Sequence, residues 1–274
     1  MKTGDSAMAP QGNRSNNTPL VRLVDVHKRF GDLAVLDGIS VEFRRSETTV
    51  IIGESGAGKS VILKHIVRLL RPDSGEVYYR DQRIDALPER KLASLRPRFG
   101  FLFQLSALFD SMTVEDNVAF PIAEHTRRSR SEIKELVRQK LAMVGLDGIQ
   151  SQWPGELSGG QKKRVALARA IALDPELILY DEPTTGLDPP RADEINELIL
   201  KLQRGLEVTS VVVTHDMASA RKVADRIIML YQGKFIFDGT PDSIMQTDDQ
   251  RVRCFVDGRC TPEVLESFRE KGDK

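Results

Sequence analysis

Apolar residues along the chain recur at two spacings. Between Leu20 and Phe43 they alternate. Val24 and Val26 fall on one face of a short strand, Ile39, Val41 and Phe43 on one face of another, with Gly31 and Asp32 as the turn between them. The run Thr48-Thr49-Val50-Ile51-Ile52 is unbroken and β-branched, which predicts a strand covered on both faces. It stops at Gly53. Ile62, Leu63, Ile66, Leu69 and Leu70 then repeat at helical spacing, until Pro72 and Gly75 end the helix. A second strand and a crossover follow, and residues 99–103 form another apolar strand. From about Gln104 to Leu157 the character changes. Ser129 and Glu132 form a capping box, and Ile133, Leu136, Val137, Leu141 and Val144 keep helical spacing up to Gly145. This predicts a helical insertion with its own small core. Short apolar strands return at residues 177–180 and 208–213, separated by a helix over residues 191–202. Strands alternating with helices predict an α/β chain with a mostly parallel sheet.

Charge removes several functions. The 274 residues carry 40 basic and 40 acidic side chains, so the basic excess of a nucleic-acid binder is missing and no nucleic-acid partner is expected. The longest uncharged stretch, residues 99–109, is about half the roughly 20 residues that a membrane-spanning helix needs. Residues 1–18 are rich in Ser, Asn, Gly and Pro, lack the apolar centre of a secretory signal, and are expected to be a disordered lead-in. Cys254 and Cys260 are too few and too late for a disulfide framework or a metal site, and are expected to be reduced, inert thiols. His27, His65, His125 and His215 show no metal-ligand spacing. The chain reads as cytosolic, and its charged last residues, with a helix start at Thr261-Pro262-Glu263, as an appendage.

Chemistry concentrates where strands end. Gly53-Glu54-Ser55-Gly56-Ala57-Gly58-Lys59-Ser60 matches the phosphate-binding loop G-x-x-x-x-G-K-[ST], between a buried strand and a helix start. The glycines let backbone N–H groups turn inward around phosphate oxygens, and the helix amino terminus adds a favourable field. Lys59 is expected to reach the β- and γ-phosphates, and Ser60 to ligate Mg²⁺. A magnesium ion needs a carboxylate and an attacking water needs a base. Asp181 and Glu182, at the end of the apolar strand 177–180, supply both, Asp181 for the metal and Glu182 for the water. ATP and Mg²⁺ are therefore the expected cofactors.

Leu157-Ser158-Gly159-Gly160-Gln161 is similar to the signature sequence of ATP-binding cassette (ABC) proteins. Other elements of that family follow in register. Gln104 resembles the Q-loop glutamine, which also approaches the metal; Asp188 resembles the D-loop aspartate, and His215 the switch histidine. Phe30 resembles the aromatic residue that stacks on adenine. The resemblance covers roughly residues 20–245. It implies a P-loop NTPase cassette with a RecA-like core, an antiparallel β subdomain and an inserted α-helical signature subdomain. The implied boundaries are 19–247 for the ATP-binding domain, about 105–160 for the insertion and 248–274 for a tail that makes a dimer contact. It also implies a head-to-tail homodimer in which Ser158, Gly159, Gly160 and Gln161 of one copy complete the ATP site of the other. One departure stands out. Many cassettes place a second hydroxyl after Ser60, and here Val61 follows. Its backbone amide remains, and the missing hydrogen bond is worth about 1 kcal/mol.

Longer stretches narrow the resemblance. Residues 58–66, 103–114, 117–121, 209–217 and 249–258 resemble the ATPase subunits of Mla-type, MCE-associated phospholipid transporters. Those systems pair two cassettes with an MlaE-like integral-membrane permease, an MCE-domain lipid-binding protein and, in some members, a small STAS-domain protein. The resemblance implies a peripheral subunit on the cytoplasmic face of the inner membrane, docked through Leu105, Ala107, Leu108, Phe109 and Met112. Two alternatives stay open: a cassette serving another cargo, such as an amino acid or lipoprotein, and a soluble cassette acting on ribosomes or DNA. The second usually carries two cassettes in one chain or long coiled coils, and this chain has neither.

Overall fold

The computed structural model describes residues 19–258 and residue 260. The expectations for residues 1–18 and for a helix start at Thr261 lie outside them. Strands β1 (Pro19–Phe30) and β2 (Leu33–Arg44) form a hairpin, and β4 (Ser74–Tyr79) and β5 (Gln82–Arg83) extend it in the order β2-β1-β4-β5, all antiparallel. A second sheet contains β3 (Thr48–Ile52), β6 (Phe99–Leu102), β7 (Leu177–Asp181), β8 (Thr209–Thr214), β9 (Arg226–Tyr231) and β10 (Lys234–Gly239). Its order is β10-β9-β3-β8-β7-β6, parallel except for β10 at the edge. Every residue of β3, β7 and β8 is buried, as their unbroken apolar runs demand.

The alternation in β1 breaks at Asp25, which has φ 48°. Leu23 and Val26 are buried while Val24 is 36% exposed, so Val24 and Val26 do not share a face as expected. The register against β2 slips between Leu23 and Val26, and such a bulge moves one residue across the sheet. Helix α1 (Lys59–Ile66) also ends earlier than its periodicity suggests. Arg68 enters the left-handed region at φ 60°, and its N–H and that of Leu69 donate to the carbonyls of His65 and Lys64. This pair of bonds closes the helix as a Schellman motif, leaving Leu69 54% exposed.

After the short α2 (Glu89–Ala93) come α3 (Val114–His125), α4 (Arg130–Met143) and α5 (Gly159–Ala170). Ser129 and Glu132 form the expected capping box on α4, which ends before Gly145 at φ 71°. The insertion does not keep a core of its own. Val118, Val137, Leu141 and Val165 belong to one apolar cluster with Val50, Ile52 and Tyr180 of the parallel sheet. Helix α5 causes this continuity, because Val165, Ala166, Leu167 and Ala168 are all buried and so contact packed neighbours all round.

Helices α6 (Pro189–Leu206), α7 (Met217–Val223), α8 (Pro241–Ile244) and α9 (Gln250–Asp257) complete the described chain. Helix α9 is less of an appendage than its charge suggests, since Val252 is buried in the main cluster and Phe255 and Val256 pack against it. The expectation of two reduced thiols is overturned. Cys254 and Cys260 are joined in a disulfide. The left-handed Gly258 that ends α9 reverses the chain and brings the two side chains together. No helix among the described residues is long and apolar enough to cross a membrane.

Candidate nucleotide site

Parallel pairing brings the chemistry to one edge. Ile52 is level with Thr214, and Asp181 with Val213. The residues following β3, β7 and β8 therefore emerge side by side at the carboxyl ends of the strands, where open α/β sheets bind ligands. The loop after β3 needs its glycines. A Cβ on Gly58, at φ 101°, would lie 2.6 Å from Val35 Cγ1, and one on Gly53 would lie 2.4 Å from the Leu230 carbonyl oxygen. Gly58 is also the residue from which α1 starts, so the helix amino terminus faces the loop.

Lys59 is buried and donates from Nζ to the Gly53 and Glu54 carbonyls, at 2.8 Å each. Burial pushes its pKa down, against the pull of Glu182, 3.7 Å away, and of Asp181. Ser60 Oγ donates to Asp181 Oδ1 at 2.6 Å. Burial pushes the Asp181 carboxyl up despite that hydrogen bond, so its negative charge is under-compensated within the chain. A hydroxyl and a carboxylate oxygen set together fit the oxygen preference of Mg²⁺, which binds through one or two protein groups plus phosphates and water. No larger group of His, Cys, Asp and Glu suited to a metal occurs among the described residues.

Glu182 follows with φ 48°, a left-handed conformation that costs a non-glycine residue about 1–3 kcal/mol. Its N–H donates to the Val213 carbonyl, which turns the side chain back over the strand ends. There Oε2 meets His215 Nδ1 at 2.9 Å and accepts from Thr185 Oγ1 at 3.0 Å. A cavity of about 370 Å³ is lined by Lys59, Ser60, Glu182 and His215. Phe30, 47% exposed, stands in its wall with Ser55, Gly56, Val61 and Gln104.

The structure does not bring every expected residue here. Gly53, Glu54, Ala57 and Asp181 are not in the cavity wall, though Gly53, Glu54 and Asp181 bond to Lys59 and Ser60, which are. Ser158, Gly159, Gly160, Gln161 and Asp188 are also absent from it. Ser158 caps α5 by accepting from the Gln161 N–H, and the Gln161 side chain accepts in return from the Ser158 N–H. Ser158 and Gly159 are exposed, and a Cβ on Gly159 would meet Leu187 of the segment leading to Asp188. Asp188 caps α6 by accepting from the Arg191 N–H. Sequence reasoning missed Val35, which backs the loop at Gly58, and Thr185 and Lys163, which touch Glu182. Thr185 stands three residues after Glu182, a visible signal. Lys163 has none, because only packing turns it inward.

A family model described as ABC transporter matches residues 36–185. The chain belongs to the ABC transporter family. Over 232 residues it is 41% identical to the probable ribonucleotide transport ATP-binding protein mkl of Mycobacterium tuberculosis, covering 85% of this chain and 65% of that one. The cassette thus spans about two thirds of that relative's length. It is 41% identical over 242 residues to the intermembrane phospholipid transport system ATP-binding protein MlaF of Haemophilus influenzae, covering 88% of this chain and 92% of that protein. Its fold matches the dimeric, post-hydrolysis structure of the ATP-binding cassette MJ0796 bound to ADP and Pi. The TM-score is 0.75 at 34% identity, over 81% of the cassette and 98% of that chain. The antiparallel sheet, parallel core and inserted helices are those of an ABC cassette.

Proposed function

We propose that the cassette hydrolyses ATP as half of a homodimer and drives a membrane permease that moves phospholipid between membranes. The observation that carries the ATPase reading is the cavity in which Lys59, Ser60, Glu182 and His215 converge on the glycine loop. In this reading Phe30 stacks on adenine, while the amides of Gly53 to Val61 and the Lys59 ammonium hold the phosphates. Ser60, Asp181 and Gln104 would hold Mg²⁺, which neutralises phosphate charge when bound. Glu182 takes the proton of the attacking water, a role worth about 10²–10⁴ in rate. His215, hydrogen-bonded to Glu182, orients that carboxylate and contacts the γ-phosphate.

The exposed amino terminus of α5 supports the dimer. Ser158 and Gly159 stand exposed at the helix start, where the N–H groups of an amino terminus suit a second anion cradle. ATP between two copies then holds them closed, and loss of the γ-phosphate releases them. A partner must feel that closure.

An apolar groove of about 470 Å³ supports the permease. Phe99, Phe101, Phe103, Ala107, Phe109 and Phe120 line it, and an apolar groove suits an amphipathic helix. The docking segment divides its work: Ala107 and Phe109 face the groove, Leu108 packs on the core, and Leu105 is 88% exposed. An MlaE-like permease, an MCE-domain protein and a STAS-domain protein are the proposed company, at the cytoplasmic face of the inner membrane. The domain limits 19–247 and 248–274 belong to the same proposal.

Cargo rests on relatives alone, and the ribonucleotide named for mkl is a second reading. Tagged Glu182→Gln cassette, purified from native membranes, decides between them by mass spectrometry of bound proteins and lipids. An MlaE-like permease with phospholipid is the expected result. A different permease would keep the ATPase and discard the lipid, and bound ribosomes or DNA would overturn the transporter.

A further inference from the structure

Lys163, on α5, has no part in the roles above. It is 5% exposed and forms no ion pair among the described residues. Burying an ammonium costs heavily unless it is satisfied. Its Nζ donates to two backbone carbonyls, that of Gln104 at 2.5 Å and that of Glu182 at 3.3 Å. One belongs to a residue in a left-handed conformation, and the other lies two residues before a pair in that conformation. Glu182 itself has φ 48°, and Ser106 and Ala107, just beyond Gln104, have φ 65° and 48°. One side chain thus fastens two bent segments to the helix that Ser158 caps. Five residues separate Ser158 from Lys163, about 7.5 Å along the helix axis.

We propose that Lys163 is a positioning residue that ties the signature helix to the peptide groups of Gln104 and Glu182. Hydrolysis at this chain's own phosphate loop then depends on where α5 sits. The inference rests on the reading above, in which Ser158 and Gly159 serve the partner's ATP. Under it, the amino terminus of α5 answers to one ATP while Lys163 sets the carboxylate beside the other, so the two sites respond to each other. Lys163 is absent from the cavity wall, so its loss changes turnover and not nucleotide affinity. Methionine keeps the length and leaves both carbonyls unpaired. Arginine keeps reach and charge.

The test is steady-state ATPase of the full chain with Mg-ATP, together with a fluorescent-ATP titration, for Lys163→Met, Lys163→Gln and Lys163→Arg. Lys163→Met is expected to lower kcat about tenfold or more, with nucleotide affinity within about twofold. Its Hill coefficient for ATP should fall from above 1 to about 1. Lys163→Arg should recover at least about half the parental kcat. A parental kcat in Lys163→Met overturns the proposal. So does a joint loss of turnover and nucleotide binding that arginine fails to restore. If Lys163→Met does not fold, Lys163→Arg and Lys163→Gln decide, and equal rates for these two overturn it. Failure of the underlying reading shows separately, as a rate linear in protein concentration or as parental turnover in Glu182→Gln.

Discussion

Strand β7 ends in acid at both sides, and the two ends are built for opposite purposes. Just before it, Glu176 accepts hydrogen bonds from Tyr79 Oη and twice from Arg80 Nη2, at 2.7 Å each, and pairs with Arg98. Burial pushes its carboxyl up, but these donors win and hold it below the ordinary value of 4.5. At the far end, Asp181 has one hydroxyl donor, and burial leaves its carboxyl above the ordinary 3.8. Four residues of strand separate a charge satisfied within the chain from one that lacks sufficient compensation. The first end stabilises the fold. The second gives up stability to remain ready for a cation, the trade expected at a functional site.

Substitutions at the two ends can break this contrast. The largest effect is expected from Glu182→Gln: turnover about 10²–10⁴-fold lower, with an ATP-dependent dimer retained on size-exclusion chromatography. Parental turnover would remove Glu182 as the base. Asp181→Asn should lower Mg²⁺-dependent ATPase about 10²-fold and raise the Tm of the nucleotide-free protein, because an under-compensated buried charge is gone. A fall in Tm would show that Asp181 belongs with Glu176. Ser158→Ala removes the α5 cap, worth about 1 kcal/mol, and should reduce turnover while leaving nucleotide binding to a single chain intact, as read by fluorescent-ATP titration.

Glu176→Gln is expected to have the smallest effect, about 1 kcal/mol of stability with ATPase unchanged. A carboxylate with a lowered folded pKa contributes its stability above the ordinary value of 4.5 and loses it as pH falls through the folded value. Denaturant midpoints across the acid range should therefore converge for the parent and Glu176→Gln as pH drops. Parallel curves would show that the pairing carries no linkage.

Much of the fold was legible in the chain because its signals are local. Apolar runs marked β3, β7 and β8, the Ser129–Glu132 box marked α4, and the glycine loop sits between the strand and helix that its motif requires. Where local pattern failed, a backbone reversal intervened. Asp25 turned Val24 outward, Arg68 cut α1 short, and Gly258 folded Cys260 back onto Cys254.

By itself, the sequence determined the family, the phosphate loop, the acid pair after β7 and the signature at the start of α5. Each is a short run whose backbone and side chains act together, so spacing carries its meaning. Only the tertiary structure decided that Glu176 is satisfied and Asp181 is not, that the inserted helices share the sheet's core, and that Lys163 holds the Gln104 and Glu182 carbonyls. Those outcomes depend on which distant groups the parallel sheet and α5 bring within hydrogen-bonding reach, and no spacing along the chain records that.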